Sequence, residues 1–168
     1  MTEQTRDSDT ILPSYADGPS QLEVAIAGLT DTELDLAQDA DTWTIRQIVH
    51  HIVDGDDLWK VCIKAALGNH SGIFSLQWYW DIPQDTWVES WGYAGRSIEP
   101  SLALFHANRR HVVQLIRQIP DAWEQHMLVR WPNKQEEQVT VGSVIEMQVH
   151  HVTHHINDIR GVRQTHNL

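Results

Sequence analysis

Apolar residues recur at helical spacing in four stretches of this 168-residue chain, with little strand-like alternation. The first follows Asp17-Gly18-Pro19-Ser20, read as a turn with Pro19 at the start of a helix, where its missing N–H costs nothing. That helix carries Leu22, Ala25, Ile26 and Leu29. Thr30 followed by Glu33 suits a short capped turn carrying Leu34. Thr44 and Gln47 then form a capping-box pattern. The helix they open is predicted to run to about Leu67, with Gly68 as the stop. Its apolar stripe is Ile45, Ile48, Val49, Ile52, Trp59, Ile63, Ala66 and Leu67.

The third helix opens at Ser97, carries Leu102, Phe105, Val112, Val113 and Ile116, and stops at Pro120. The fourth opens at Thr140 and is predicted to reach about Val162, with Val141, Val144, Ile145, Val149, Val152, Ile156 and Ile159 on one face. Between the second and third lies 69–95, rich in Trp, Tyr, Gly, Pro, Asp and Ser, read as a long irregular connection with a short helix near Asp85 to Ser90. Leu128 to Trp131 and the run up to Val139 suit a small β-hairpin. The expected fold is all-α: a four-helix bundle with a long irregular crossover and a small hairpin. Residues 1–10 read as a disordered tip, and 11–168 as one domain.

Charge narrows the partners. Twelve basic against 23 acidic residues leave a net −11, which argues against a nucleic-acid binder and an anionic membrane surface. No apolar run reaches transmembrane length, and the polar start lacks the pattern of a signal peptide. Cys62, the single cysteine, allows no internal disulfide and suits a reducing cytoplasm, the expected location. It lies among apolar residues with no basic neighbour to activate it, so core is its expected role.

The candidate chemistry is histidine. Four of the eleven histidines fall within 150–155, as two i, i+4 pairs, and a further pair is His50-His51. Imidazoles four apart on a helix share a face and can grip one ion. On a wheel at about 100° per residue, His155 falls roughly 50° and His151 roughly 90° from the centre of the last helix's apolar stripe. His150 and His154 fall on the opposite side, as does Glu146 four residues before His150. His51 shares its side with Ile48, Gly55, Leu58 and Cys62, whereas His50 shares Asp54 and Asp57 and reads as solvent-facing. The candidate ligands are His51, His151 and His155, three nitrogens with an open fourth position, the make-up of a catalytic rather than a structural site. Imidazole suits Zn, Ni or Fe alike. Asp54 and Asp158, each three residues after a candidate ligand, are candidates to orient an imidazole or act as base. The plain alternative is a set of hydrogen-bonded core histidines and two surface carboxylates.

Residues 42–54, with Trp43, Thr44, Arg46, Gln47 and His51, resemble the second-helix motif of the DinB superfamily. They are similar to its YfiT-type branch, described as metal-dependent hydrolases. His151, His155 and Ile159 resemble that branch's closing helix, while Tyr15, Gly18, Pro19, Leu29, Glu33 and Leu34 fit its first helix. Trp87 and the run from Ser101 to Arg110 fit its third. The resemblance implies a four-helix bundle, often a homodimer, and places the family's metal ligands on His51, His151 and His155. It implies one divalent ion, a small-molecule substrate, and hydrolase chemistry. Relatives in the superfamily imply an alternative, transfer to or from a low-molecular-weight thiol. A non-catalytic metal-binding stress protein and a dimeric interaction module are the rival classes.

Overall fold

The computed structural model describes residues 3–69 and 72–168, with side chains described from Ser8 onward. Four long helices form the bundle: α1 (Glu3–Ile26), α2 (Ile45–Gly68), α5 (Ile98–Gln118) and α6 (Val141–His166). Two short ones, α3 (Gln77–Trp80) and α4 (Gln84–Ser90), lie in the crossover. α1 packs chiefly on α6 and α5, and α2 on α5 and α6. α1 therefore stands diagonally across the bundle from α2, and α5 from α6.

The caps explain the boundaries. Thr44 Oγ1 accepts from Gln47 N at 3.2 Å, and Gln47 Oε1 accepts from Thr44 N at 2.8 Å. Ser97 and Thr140 accept from Glu99 N and Ser143 N at the starts of α5 and α6. Thr30 and Glu33 cap each other ahead of a single 3-10 turn that buries Leu34. Most of the motif around residue 43 is architectural. Arg46 is buried and ties α2 to Asp31, Asp35 and the Arg96 carbonyl. The Trp43 indole donates to Asp85 at 2.8 Å, pinning α4 beside the start of α2.

α1 departs from expectation. Pro13 and Pro19 both lie inside it, and residues 3–10, read as a disordered tip, form its first turns. Met1 and Thr2 lie outside the described residues. Proline normally breaks a helix by leaving the carbonyl four residues back without a donor. At Pro19 that carbonyl is Tyr15's, and Arg109 Nη1 donates to it at 3.0 Å. A donor from α5 replaces the missing N–H.

The crossover is more ordered than predicted. Besides α3 and α4 it contains β1 (Ile73–Phe74), which pairs in parallel with β2 (His126–Arg130). β2 pairs antiparallel with β3 (Glu136–Thr140), the expected hairpin, so the sheet has order β1-β2-β3. The core has two apolar clusters, one around Tyr15, Ile63, Val112 and Ile145, the other around Leu22, Val49, Phe105 and Ile156. Cys62 belongs to the first, and burial pushes its thiol up to about 12, which leaves it inert. Among the described residues no helix is long and apolar enough to cross a membrane.

Candidate metal centre

α2 and α6 bring His51, His151 and His155 to one point. One ring nitrogen from each lies within 4.8 Å of the others. His51 Nε2 and His151 Nε2 are 3.0 Å apart. Nitrogens about 2.1 Å from a shared ion stand roughly 3.0–3.4 Å apart at octahedral to tetrahedral angles. The pair therefore already has ligand spacing. His51 is 6% exposed and its ring meets Trp43, His151 and His155 edge-on.

The local electrostatics keep these rings uncharged. Burial, reinforced by the neighbouring histidines, pulls His51 down to about 3 and His151 to about 4. His155 is also lowered by burial, which Asp158 partly opposes. Neutral imidazole is the form that ligates metal. His155 Nδ1 lies 2.9 Å from Asp158 Oδ2, so that Nδ1–H donates to the carboxylate and the Nε2 lone pair is left free. The donor set thus fits a divalent ion of the Zn, Ni or Fe kind.

These shifts have a measurable consequence without metal. A histidine whose folded pKa is depressed stays neutral in the fold while the unfolded chain takes up protons below about 6.5. Its stabilising contribution is complete above that value and is lost as pH falls toward the folded pKa, by up to about 1.4 kcal/mol per pH unit for each histidine. Asp56 opposes this, because burial raises it to about 6 against the pull of Arg109, so it takes up a proton in the fold first. Four histidines, 50, 51, 151 and 155, are lowered against this one raised carboxyl. The metal-free protein is expected to melt at a lower temperature at pH 5 than at pH 7.5. A Tm that rises on acidification contradicts this.

The structure corrects one expectation about the neighbours. His50, read as solvent-facing, is fully buried, with Nδ1 2.9 Å from Ser101 Oγ and Nε2 3.3 Å from the Arg96 carbonyl. It joins α2 to α5, on the other flank of the helix from the cluster. Asp54 lies on that flank too, paired with Arg96 at 3.4 Å and bonded to Tyr93. His150 and His154 are exposed. His154, His155 and Asp158 make a second grouping with metal-ligand spacing, which shares His155 with the first.

Two cavities flank the cluster. One, of about 190 Å³, is lined by His51, His151, Trp59, Tyr79 and Trp80 and floored by Asp56, Arg109 and Gln148. The other, more open and about 390 Å³, is lined by Trp43, His155 and Asp158. Gln84 of α4 lines both. Trp80 therefore faces the site, while Trp78 is half exposed. Sequence reading missed Asp56, Arg109 and Gln148. Asp56 continues the stripe of Ile45, Ile48, Val49 and Ile52 at helical spacing, Gln148 interrupts the apolar stripe of α6, and polar residues at core positions were the available signal.

Fold and site together define a helical-bundle protein with a three-histidine cluster of metal-centre geometry beside a largely apolar pocket. The chain belongs to the DinB superfamily, whose family model matches residues 15–159. A curated protein of Oceanobacillus iheyensis named "putative metal-dependent hydrolase" is 24% identical over 143 residues, 85% of this chain and 78% of the relative. A Bacillus cereus protein of the same name is 37% identical over 59 residues, 35% of this chain and 34% of that one. YfiT from Bacillus subtilis, described with its structure as "a probable metal-dependent hydrolase with an unusual four-helix bundle topology", superposes with TM-score 0.81. It is 22% identical, and the match covers 99% of this chain and 90% of YfiT.

Proposed function

We propose that this protein is a metal-dependent hydrolase of small molecules, with His51, His151 and His155 as the ligands of one divalent ion. The observation that carries the reading is the meeting of three neutral imidazoles from two helices, two of which line a largely apolar pocket. The curated relatives' names support it. Bound there, a divalent ion supplies Lewis acidity, polarising a carbonyl and making a coordinated water or thiol acidic near neutral pH.

The chain's own residues supply the rest. Three ligands leave a position open to a reactant. Asp158 holds His155 by accepting a hydrogen bond from its Nδ1–H, and half-exposed at the open cavity it is placed to take a proton from an incoming nucleophile. Asp54 is committed to Arg96 and Tyr93, so orientation of the ligands falls to Asp158 alone of the two. Trp59, Tyr79 and Trp80 line the inner pocket and offer apolar faces to a substrate.

A second reading, transfer involving a low-molecular-weight thiol, is favoured by one feature. Cavities on both sides of the cluster, divided by Gln84, give room for two reactants rather than one and water.

The test is metal analysis of untagged protein, followed by a turnover screen on small esters and amides, with and without thiols. About one divalent ion per chain and EDTA-sensitive hydrolysis support the reading. Activity unaffected by EDTA, or no specific metal uptake, overturns it. Asp158→Ala is expected to weaken metal binding by about 10–100-fold with helicity unchanged, read by competition with a chromophoric chelator.

A further inference from the structure

Gly55 stands inside α2, about one turn after His51. Apart from proline, glycine is the least favourable residue in a helix interior, so its place there needs a reason. Backbone conformation does not supply one, because the glycines with positive φ among the described residues are Gly28 and Gly92. Packing does not supply one either. A Cβ added to Gly55 would meet His151 Cε1 at 3.6 Å, an ordinary contact, and no other side chain or neighbouring element within 4 Å. At Gly142, by contrast, a Cβ would strike the Trp123 indole, and glycine there answers to packing.

What Gly55 leaves is space. It lines the inner cavity together with His51 and His151. Residues four apart share a helix face, so the gap lies on the His51 side of α2. It also borders His151 Cε1, the carbon bonded to the Nε2 that stands 3.0 Å from His51 Nε2. The open volume thus reaches the ring edges that meet in the cluster.

The rest of the cavity suits an uncharged, apolar group. Leu76, Tyr79 and Trp80 of the crossover, Trp59 of α2 and Met147 of α6 supply its walls. Tyr79 stacks on Trp87 and Trp91, so its ring is held in place. The charged side chains among the lining residues, Asp56 and Arg109, are paired with each other at 2.7 Å. They belong to a buried layer with one polar residue from each long helix, Tyr15, Asp56, Arg109 and Gln148, none more than 3% exposed. Gln148 Nε2 donates to Asp56 Oδ1 at 2.8 Å, and the Arg109 guanidinium sits 3.7 Å over the Tyr15 ring. A charged group entering the cavity would lose its hydration and find no free counter-charge.

We propose that Gly55 is a specificity-determining residue, which keeps the inner cavity open to the histidine cluster. The substrate class this selects is an uncharged ester or amide with an apolar arm beside the scissile group. The arm lies against Trp59, Tyr79 and Trp80, and the scissile group lies at the histidines. That substrate assignment rests on the metal-centre reading; the opening made by Gly55 does not.

The test has a stability arm and a binding arm. Gly55→Ala should raise Tm by about 2–4 °C, as a tolerated glycine-to-alanine change does inside a helix of a domain this size. A fall in Tm makes the glycine structural and overturns the proposal. In the zinc-loaded natural chain, benzohydroxamate is expected to bind at least about ten-fold tighter than acetohydroxamate, because its ring is buried in the cavity. 4-Carboxybenzohydroxamate should lose that gain. In Gly55→Leu, benzohydroxamate should fall to within about three-fold of acetohydroxamate, with zinc stoichiometry unchanged. Toluene, followed by tryptophan fluorescence in EDTA-stripped protein, should bind the natural chain at least about ten-fold tighter than Gly55→Leu. Equal aryl binding by the two chains, a carboxylate that costs nothing, no toluene binding, or loss of zinc from Gly55→Leu overturns the proposal. Should Gly55→Leu not fold, Gly55→Ala takes its place, with an expected loss of at least about three-fold for each aryl probe. The toluene comparison needs no metal. A chain that takes up no zinc therefore overturns the metal-centre reading, and toluene alone then decides on Gly55.

Discussion

Replacing His151 by alanine is expected to abolish tight divalent-metal binding while the bundle stays folded. Removing a partner that only orients a ligand already costs about 10–100-fold in affinity. Removing one of three ligands should cost more than about a hundred-fold. The fold should tolerate it, since His151 is half-buried at a cavity wall and its ring contacts are with the other two histidines. Far-UV circular dichroism and metal content by mass spectrometry read the two halves separately. Unchanged metal uptake would exclude the cluster as the centre. Loss of helicity would assign His151 to the core.

Asp56→Ala is expected to be the most damaging single change to stability, at about 3–5 kcal/mol. It leaves Arg109, 1% exposed, without the carboxylate 2.7 Å away, and removes the acceptor for Gln148 Nε2. A charge stranded in a core costs more than the pair was worth. Against a typical domain stability of about 5–15 kcal/mol this is a large fraction. With a urea m-value of about 2 kcal/mol/M the midpoint should fall by roughly 1.5–2.5 M. A shift under about 0.5 M would mean that Arg109 is solvated through the cavity. Tyr15→Phe, by contrast, removes a hydroxyl with no hydrogen-bond partner among the described residues and should change stability by less than about 1 kcal/mol.

Much of the fold was legible in the chain. Thr44 with Gln47, Ser97 and Thr140 announce three of the four bundle helices, because capping is a contact between residues two or three apart. The apolar face of α6 sorted His151 and His155 from the exposed His150 and His154, because that helix presents one broad face to its neighbours. The same reasoning failed at His50. α2 is wedged between α5 and α6, so two of its flanks are buried and a single stripe cannot tell them apart. It failed again at Pro19, where a proline that ought to begin a helix lies inside one. The carbonyl it strands is met by Arg109, ninety-four residues from Tyr15.

The sequence by itself determined α2, α5 and α6, their caps, and which histidines of α6 turn inward, all of which follow from neighbours within a few turns. Only the tertiary structure decided that His51 meets His151 and His155, that Asp158 takes a histidine while Asp54 takes Arg96, and that four buried polar side chains share one layer. The reason is register. A helical wheel gives the direction of a side chain around its own axis, but the height at which two helices touch is set by how their surfaces pack along the whole bundle.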